Sequence, residues 1–212
     1  SQSVATNETK LFALSMQSNL SRIAEGTQLM RDDIISVSTT LNAVDAEQFA
    51  KEADRQLDAA ISSLNGWAGG RSLFSGTATG TSPLNSADTL MSELVLETAG
   101  LTDAADIVQA VKDWFADPAG FDAVMYNGST TDLSPVEIGD GETVSLALRA
   151  DDPDLTHALQ SFAILALLDE PALALSDDAT VGLPRAGMTE MADSSSRLIG
   201  VQADIGFMEA QL

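Results

Sequence analysis

Apolar residues recur in alternating steps of three and four at both ends of this chain, and that spacing limits the fold more than any other feature. Met16, Leu20, Ile23, Met30, Ile34, Val37, Leu41 and Val44 hold one such register, with Thr27 its single polar member. Side chains so spaced share one helical face, as do the a and d positions of a coiled coil. Gly26 sits inside the seam at a cost of about 1 kcal/mol relative to Ala. Asn42 to Asp45 reads as a break, with Asp45 as the N-cap of the next helix. That helix is predicted from about Ala46 to Asn65, with the seam Ala46, Ala50, Ala53, Leu57, Ala60, Leu64 and Trp67. Its alanines permit close approach of a neighbour, Phe49 and Ile61 widen the apolar face, and Gly66 ends it. A third seam, Met191, Ser194, Leu198, Val201, Ile205, Met208 and Leu212, reaches the last residue without a Gly or Pro stop. The expectation is a chain cut at both ends within a coiled coil.

Between the seams the character changes. The stretch from Pro83 to Pro184 holds most of the acidic residues and, among basic ones, Lys112 and Arg149. Asp88 to Ala99 and Thr102 to Ala116 read as helices, the second with Ile107, Val108, Val111, Trp114 and Phe115 on one face. Asp117 to Gly120 is a turn, and Ala123 to Tyr126 is predicted as a short strand. Val136 to Ile138, then Gly139-Asp140-Gly141, then the alternating Val144, Leu146 and Leu148 read as a hairpin. Asp151, Asp152 and Asp154 precede a Leu-rich helix over Leu155 to Leu168, where acidic residues suit the positive helix N-terminus.

Where the first helical part gives way to this region stands Gly69 to Gly76, GGRSLFSG, followed by TATGTSPL. A Gly-rich turn, the apolar pair Leu73–Phe74 and a Ser/Thr/Gly/Pro exit mark the end of a rod. In wording, order and place the stretch resembles the hook–filament junction protein of the bacterial flagellum, the hook-associated protein 3 family, a relative of flagellin. The matching residues are Gly70, Arg71, Leu73, Phe74, Ser75, Gly76 and Thr77, while Ser72 stands where that family carries an aromatic. The segment from Met191 to Gly206 also resembles the start of the flagellin-type C-terminal helix. The resemblance implies a mainly α fold with a small α+β insertion. A three-helix coiled-coil rod would form from 1–82 and 185–212, with an outer α+β domain over 83–184. It further implies a structural subunit that joins hook to filament and templates flagellin. Its partners would be the first junction protein, flagellin and copies of itself, and an export chaperone. The flagellar secretion apparatus would export it to the cell exterior without a cleavable signal.

Composition and motifs weigh the other classes. A net charge of −22 repels nucleic acid and anionic membrane surfaces. With 44% apolar but only 5% aromatic residues, helices packed through Ala, Leu, Ile and Met are favoured. The absence of Cys removes disulfides and thiolate metal sites, and no stretch approaches the ~20 apolar residues of a membrane span. No phosphate-binding loop, dinucleotide fingerprint, zinc-protease pattern or nucleophile elbow is present. His157, the one histidine, is expected on a helix surface or in the core. Asp151, Asp152 and Asp154 lack calcium-loop spacing and are expected to cap a helix. The sequons at Asn7, Asn19 and Asn127 are read as chance, and the methionines as core. Neither enzyme activity nor a cofactor or metal is expected. Filament flagellin, a generic coiled-coil scaffold and an α+β binder remain as alternatives.

Overall fold

The structure, a computed structural model, describes residues 2–212. It is mainly α, with two small antiparallel sheets. Helix α1 spans Gln2–Val37 and α2 spans Ala43–Leu64. The two-residue strands β1 (Trp67–Ala68) and β2 (Arg71–Ser72) follow. Then come α3 (Ala87–Glu97), α4 (Ala104–Ala116), α5 (Phe121–Met125), β3 (Val136–Gly139), β4 (Glu142–Val144), α6 (Pro153–Ala166) and α7 (Asp177–Glu209). Among the described residues no helix is long and apolar enough to cross a membrane.

The three seams are the packed faces. Met16, Leu20, Ile23, Thr27, Met30 and Ile34 are buried on α1, and so are Met191, Ser194, Leu198, Val201 and Ile205 on α7. On α2 the buried set runs from Ala46 to Leu64, while Trp67 and Val44 at its two ends are exposed. α1 and α7 run antiparallel: the Gln17 amide donates to the Gln202 carbonyl (2.7 Å) and the Gln202 amide to Ser21 Oγ (2.9 Å). The N-terminus of α1 and the C-terminus of α7 therefore lie at one pole.

These three helices are joined by a fourth. α6 packs against both α2 and α7, and α1 against the same two, so neighbours around the bundle are antiparallel. From Leu155 to Ala166 every residue of α6 except His157 is buried. A helix apolar on nearly all sides has to be covered on all sides, which places it inside the bundle rather than on an outlying domain. Gly187 on α7 allows the approach, since a Cβ there would stand 2.7 Å from Leu165 Cγ. The 184/185 division falls inside α7, which begins at Asp177 and is capped by the Ser176 hydroxyl. Pro184 is buried within it, giving up one backbone hydrogen bond.

Helix starts follow the polar residues. Asn42, not Asp45, is the N-cap of α2; its side chain accepts from the Val44 and Asp45 amides, and Asp45 Oδ2 accepts from the Asn42 amide in a reciprocal box. Asp152 caps α6 through the Asp154 amide. The segment expected as a strand at Ala123 to Tyr126 is mostly the helix α5, because Phe121 and Met125, four apart, are both buried. Tyr126 alone pairs, bridging to Leu84. The hairpin forms as predicted with Val136 opposite Val144, and Asp140 (φ 46°) and Gly141 (φ 80°) take the left-handed turn that such two-residue loops require. Its second strand stops at Val144, so Leu146 and Leu148 belong to an irregular run.

Candidate functional site

The Gly70–Thr77 stretch forms the join between the bundle and the middle of the chain. Asn65 ends α2, and its side chain clamps the far end of the loop: Nδ2 donates to the Leu84 carbonyl (3.1 Å) and Oδ1 accepts from the Leu84 amide (2.9 Å). Gly69 (φ 57°) and Gly70 (φ 75°) make the tight turn of a hairpin pairing Trp67 with Ser72 and Ala68 with Arg71. The Leu73 amide then returns to the Gly66 carbonyl at 3.0 Å.

Beyond the hairpin the chain dives inward. Leu73, Phe74 and Ser75 are wholly buried, as is Ser72. The Ser75 hydroxyl donates to the Thr81 carbonyl (2.5 Å), so the Ser72 hydroxyl, 2.6 Å away, is the donor between the two serines. Ser72 serves this interior hydrogen bond. The Phe74 carbonyl accepts from the Ala150 amide (2.9 Å), the Ser75 carbonyl from the Ser129 amide (2.9 Å), and the Thr131 carbonyl from the Thr77 amide (3.0 Å). Gly76 (φ 59°) passes so close that a Cβ would meet the Thr131 carbonyl oxygen at 2.5 Å, which excludes any side chain. Three distant segments, around residues 84, 129–131 and 150, thus converge on one turn.

A polar rim holds the convergence. The Arg149 guanidinium donates to the Thr130 carbonyl, Asp132 and Asp151, and its hydrogen bond to Asp151 raises its pKa above the ordinary value. The Tyr126 hydroxyl donates to the Ser129 carbonyl (2.7 Å), and burial, with Asp151 nearby, pushes its pKa up to about 12. Arg71 and Thr77 remain on the outside. The Arg71 guanidinium lies 5.4 Å from the centre of the Phe12 ring, a cation–π distance. A cavity of about 430 Å³ opens beside it between α1 and β3, lined by Phe12, Arg71, Thr77, Val136 and Leu146.

The turn fixes how the middle of the chain leaves the bundle. The motif residues were legible from sequence. Their partners Ser129, Thr131 and Ala150 were not, because backbone amides and carbonyls accept any residue type. Gly128, where a Cβ would press on the Tyr126 ring at 2.5 Å, was the one available signal.

No protein-family model matches the sequence, and no curated protein matches it. Among solved structures, the chain is similar to one described as a "putative flagellar hook-associated protein from Vibrio parahaemolyticus". The TM-score is 0.63 at 19% identity, over 99% of this chain and 83% of that one. The two share the fold.

Proposed function

We propose that this chain is a structural subunit of the bacterial flagellum of the hook-associated class, and specifically the protein that joins hook to filament. The observation that carries the reading is the fold shared along 99% of the chain with the Vibrio protein, whose own description places it among hook-associated proteins. Two features add support. The N-terminus of α1 and the C-terminus of α7 lie at one pole of the bundle. Along the outward side of α1, Val4, Leu11 and Leu29 are exposed, as are Ile199 and Phe207 on α7. Apolar side chains on the outside of two helices offer contacts for adjoining subunits. The partners are other flagellar components and further copies, the location is the cell exterior after export, and the role is mechanical, without turnover.

Filament flagellin shares such a bundle, so position in the assembly order separates the two. A strain lacking this chain is expected to build hooks, export flagellin and lose it unpolymerised into the medium. Flagellin in the culture supernatant, with electron microscopy of hooks, reads this out. Full-length filaments on the deletion strain, with none shed, would remove the junction role.

A further inference from the structure

His157, Glu190 and Asp193 lie away from the motif turn, where α6 crosses α7. His157 Nε2 is 2.9 Å from Glu190 Oε2 and 3.1 Å from Asp193 Oδ2. His157 and Glu190 side chains are 11% and 10% exposed, and Asp193 opens to solvent at 53%. All three ligand atoms lie within 4.8 Å of one another.

The hydroxyls behind the ring can hold the tautomer that a ligand needs. Ser161 Oγ donates to the His157 carbonyl (2.9 Å). Ser194 Oγ lies 2.9 Å from Ser161 Oγ and 2.6 Å from His157 Nδ1. When Ser194 turns its proton to Ser161, it accepts from a protonated Nδ1, and the Nε2 lone pair is free for a cation beside two carboxylate oxygens. In the ion-free chain the opposite tautomer lets Nε2 donate to the same two oxygens.

We propose that this cluster is a binding site for a first-row divalent cation of the Zn²⁺ type. Ligands at the usual ~2.0–2.2 Å from a tetrahedral ion stand ~3.3–3.6 Å apart, so the two distances found here would open by roughly half an ångström to admit one. Imidazole nitrogen selects zinc-like ions over Ca²⁺ and Mg²⁺, which prefer oxygen throughout. His157 and Glu190 are already held from behind, as ligating groups are. Ser194 Oγ lies 2.6 Å from His157 Nδ1 and Lys112 Nζ 2.5 Å from Glu190 Oε1, while Arg197 Nε lies 3.0 Å from Asp193 Oδ2, the ligating oxygen itself. Asp154 accepts from Arg197 as well, at 3.1 Å. With a neutral ring, three carboxylates face two fixed cations, so the cluster keeps a negative charge for the incoming ion. Ser194 and Asp193 sit on α7, His157 on α6 and Lys112 on α4. A bound ion would tie α6 to α7 and, through Lys112, to α4.

The test is calorimetric titration of the chelator-stripped chain with ZnCl₂ in excess Mg²⁺, which saturates ordinary surface carboxylates. One Zn²⁺ per chain is expected, with a melting temperature that climbs with free Zn²⁺ because only the folded chain presents the site. His157→Gln should abolish binding, and Ser194→Ala should weaken it ~10–100-fold, as loss of an orienting partner does. Asp193→Asn, at the exposed ligand, should fold normally and still lose the ion. No saturable binding to the unaltered chain, or stoichiometric binding that survives Asp193→Asn, would overturn the site.

Discussion

Phe74 shows what a single side chain contributes. It is among the largest wholly buried residues, and its carbonyl anchors Ala150. Phe74→Ala removes a packed ring that the surrounding turn cannot collapse to fill, and it is expected to cost about 3–5 kcal/mol in denaturant unfolding. A loss under about 1 kcal/mol would mean that the ring does not plug the bundle. Asp54 shows the reverse case. Partial burial raises its pKa above 3.8, and Glu170, Asp169, Asp58 and Asp88 add to the effect. A raised acid binds its proton more tightly in the folded chain. Its destabilising effect is thus complete above the folded pKa and disappears as pH falls below the unfolded value. Asp54→Asn is expected to raise the melting temperature at neutral pH, with the gain shrinking on acidification through about pH 4. A gain that grows as pH falls would reverse that assignment.

Among the elements, α7 offers an internal control. Gly187 and Gly200 are both helical, yet a Cβ at Gly187 would press on the branch point of Leu165, while at Gly200 it would meet open space. Gly200→Ala is expected to stabilise by about 1 kcal/mol through helix propensity alone. Gly187→Ala gains the same term but overpacks the α6–α7 contact, a cost of about 1–3 kcal/mol, so a net loss is expected. Paired chemical denaturation reads the sign of each. Equal stabilisation by both would mean that α6 does not sit tightly on α7. Gly26 differs from Gly187: a Cβ there would meet the free end of the Gln56 side chain and stand 3.4 Å from Phe162, an ordinary contact, so only the Gln56 amide would have to turn aside. The element boundaries that differ from expectation have local causes. Asp45 closes the capping box at the third helical position rather than opening it, and α5 is a helix because its two anchors are one turn apart.

For the whole molecule, the question is whether the acidic middle unfolds by itself. Its buried residues from Leu84 to Leu173 belong to one continuous apolar cluster with those of α1, α2 and α7. A single cooperative transition is expected. Trp67 marks the motif hairpin, and Trp114, packed edge-on to Phe115 and Phe121, marks the middle. Trp67→Phe leaves Trp114 as the sole tryptophan, so its fluorescence should lose structure at the same temperature as the helical circular dichroism. Two separate midpoints would mean that 83–184 is energetically a domain of its own.

The sequence by itself determined which helical faces are buried, because seam spacing and helix period are properties of one chain segment. It also determined the Asp140-Gly141 turn and the Gly69-Gly70 turn, whose positive φ angles glycine, and to a lesser degree Asp, makes inexpensive. Only the tertiary structure decided that α6 enters the bundle. Its residues are apolar on nearly all sides, which specifies burial but not the partner. Likewise only the fold brought His157 to Glu190 and Asp193, more than thirty residues away along the chain, and Gly76 to the carbonyls of Ser129 and Thr131. Contacts of that kind depend on how helices are placed against one another, and no local spacing encodes that placement.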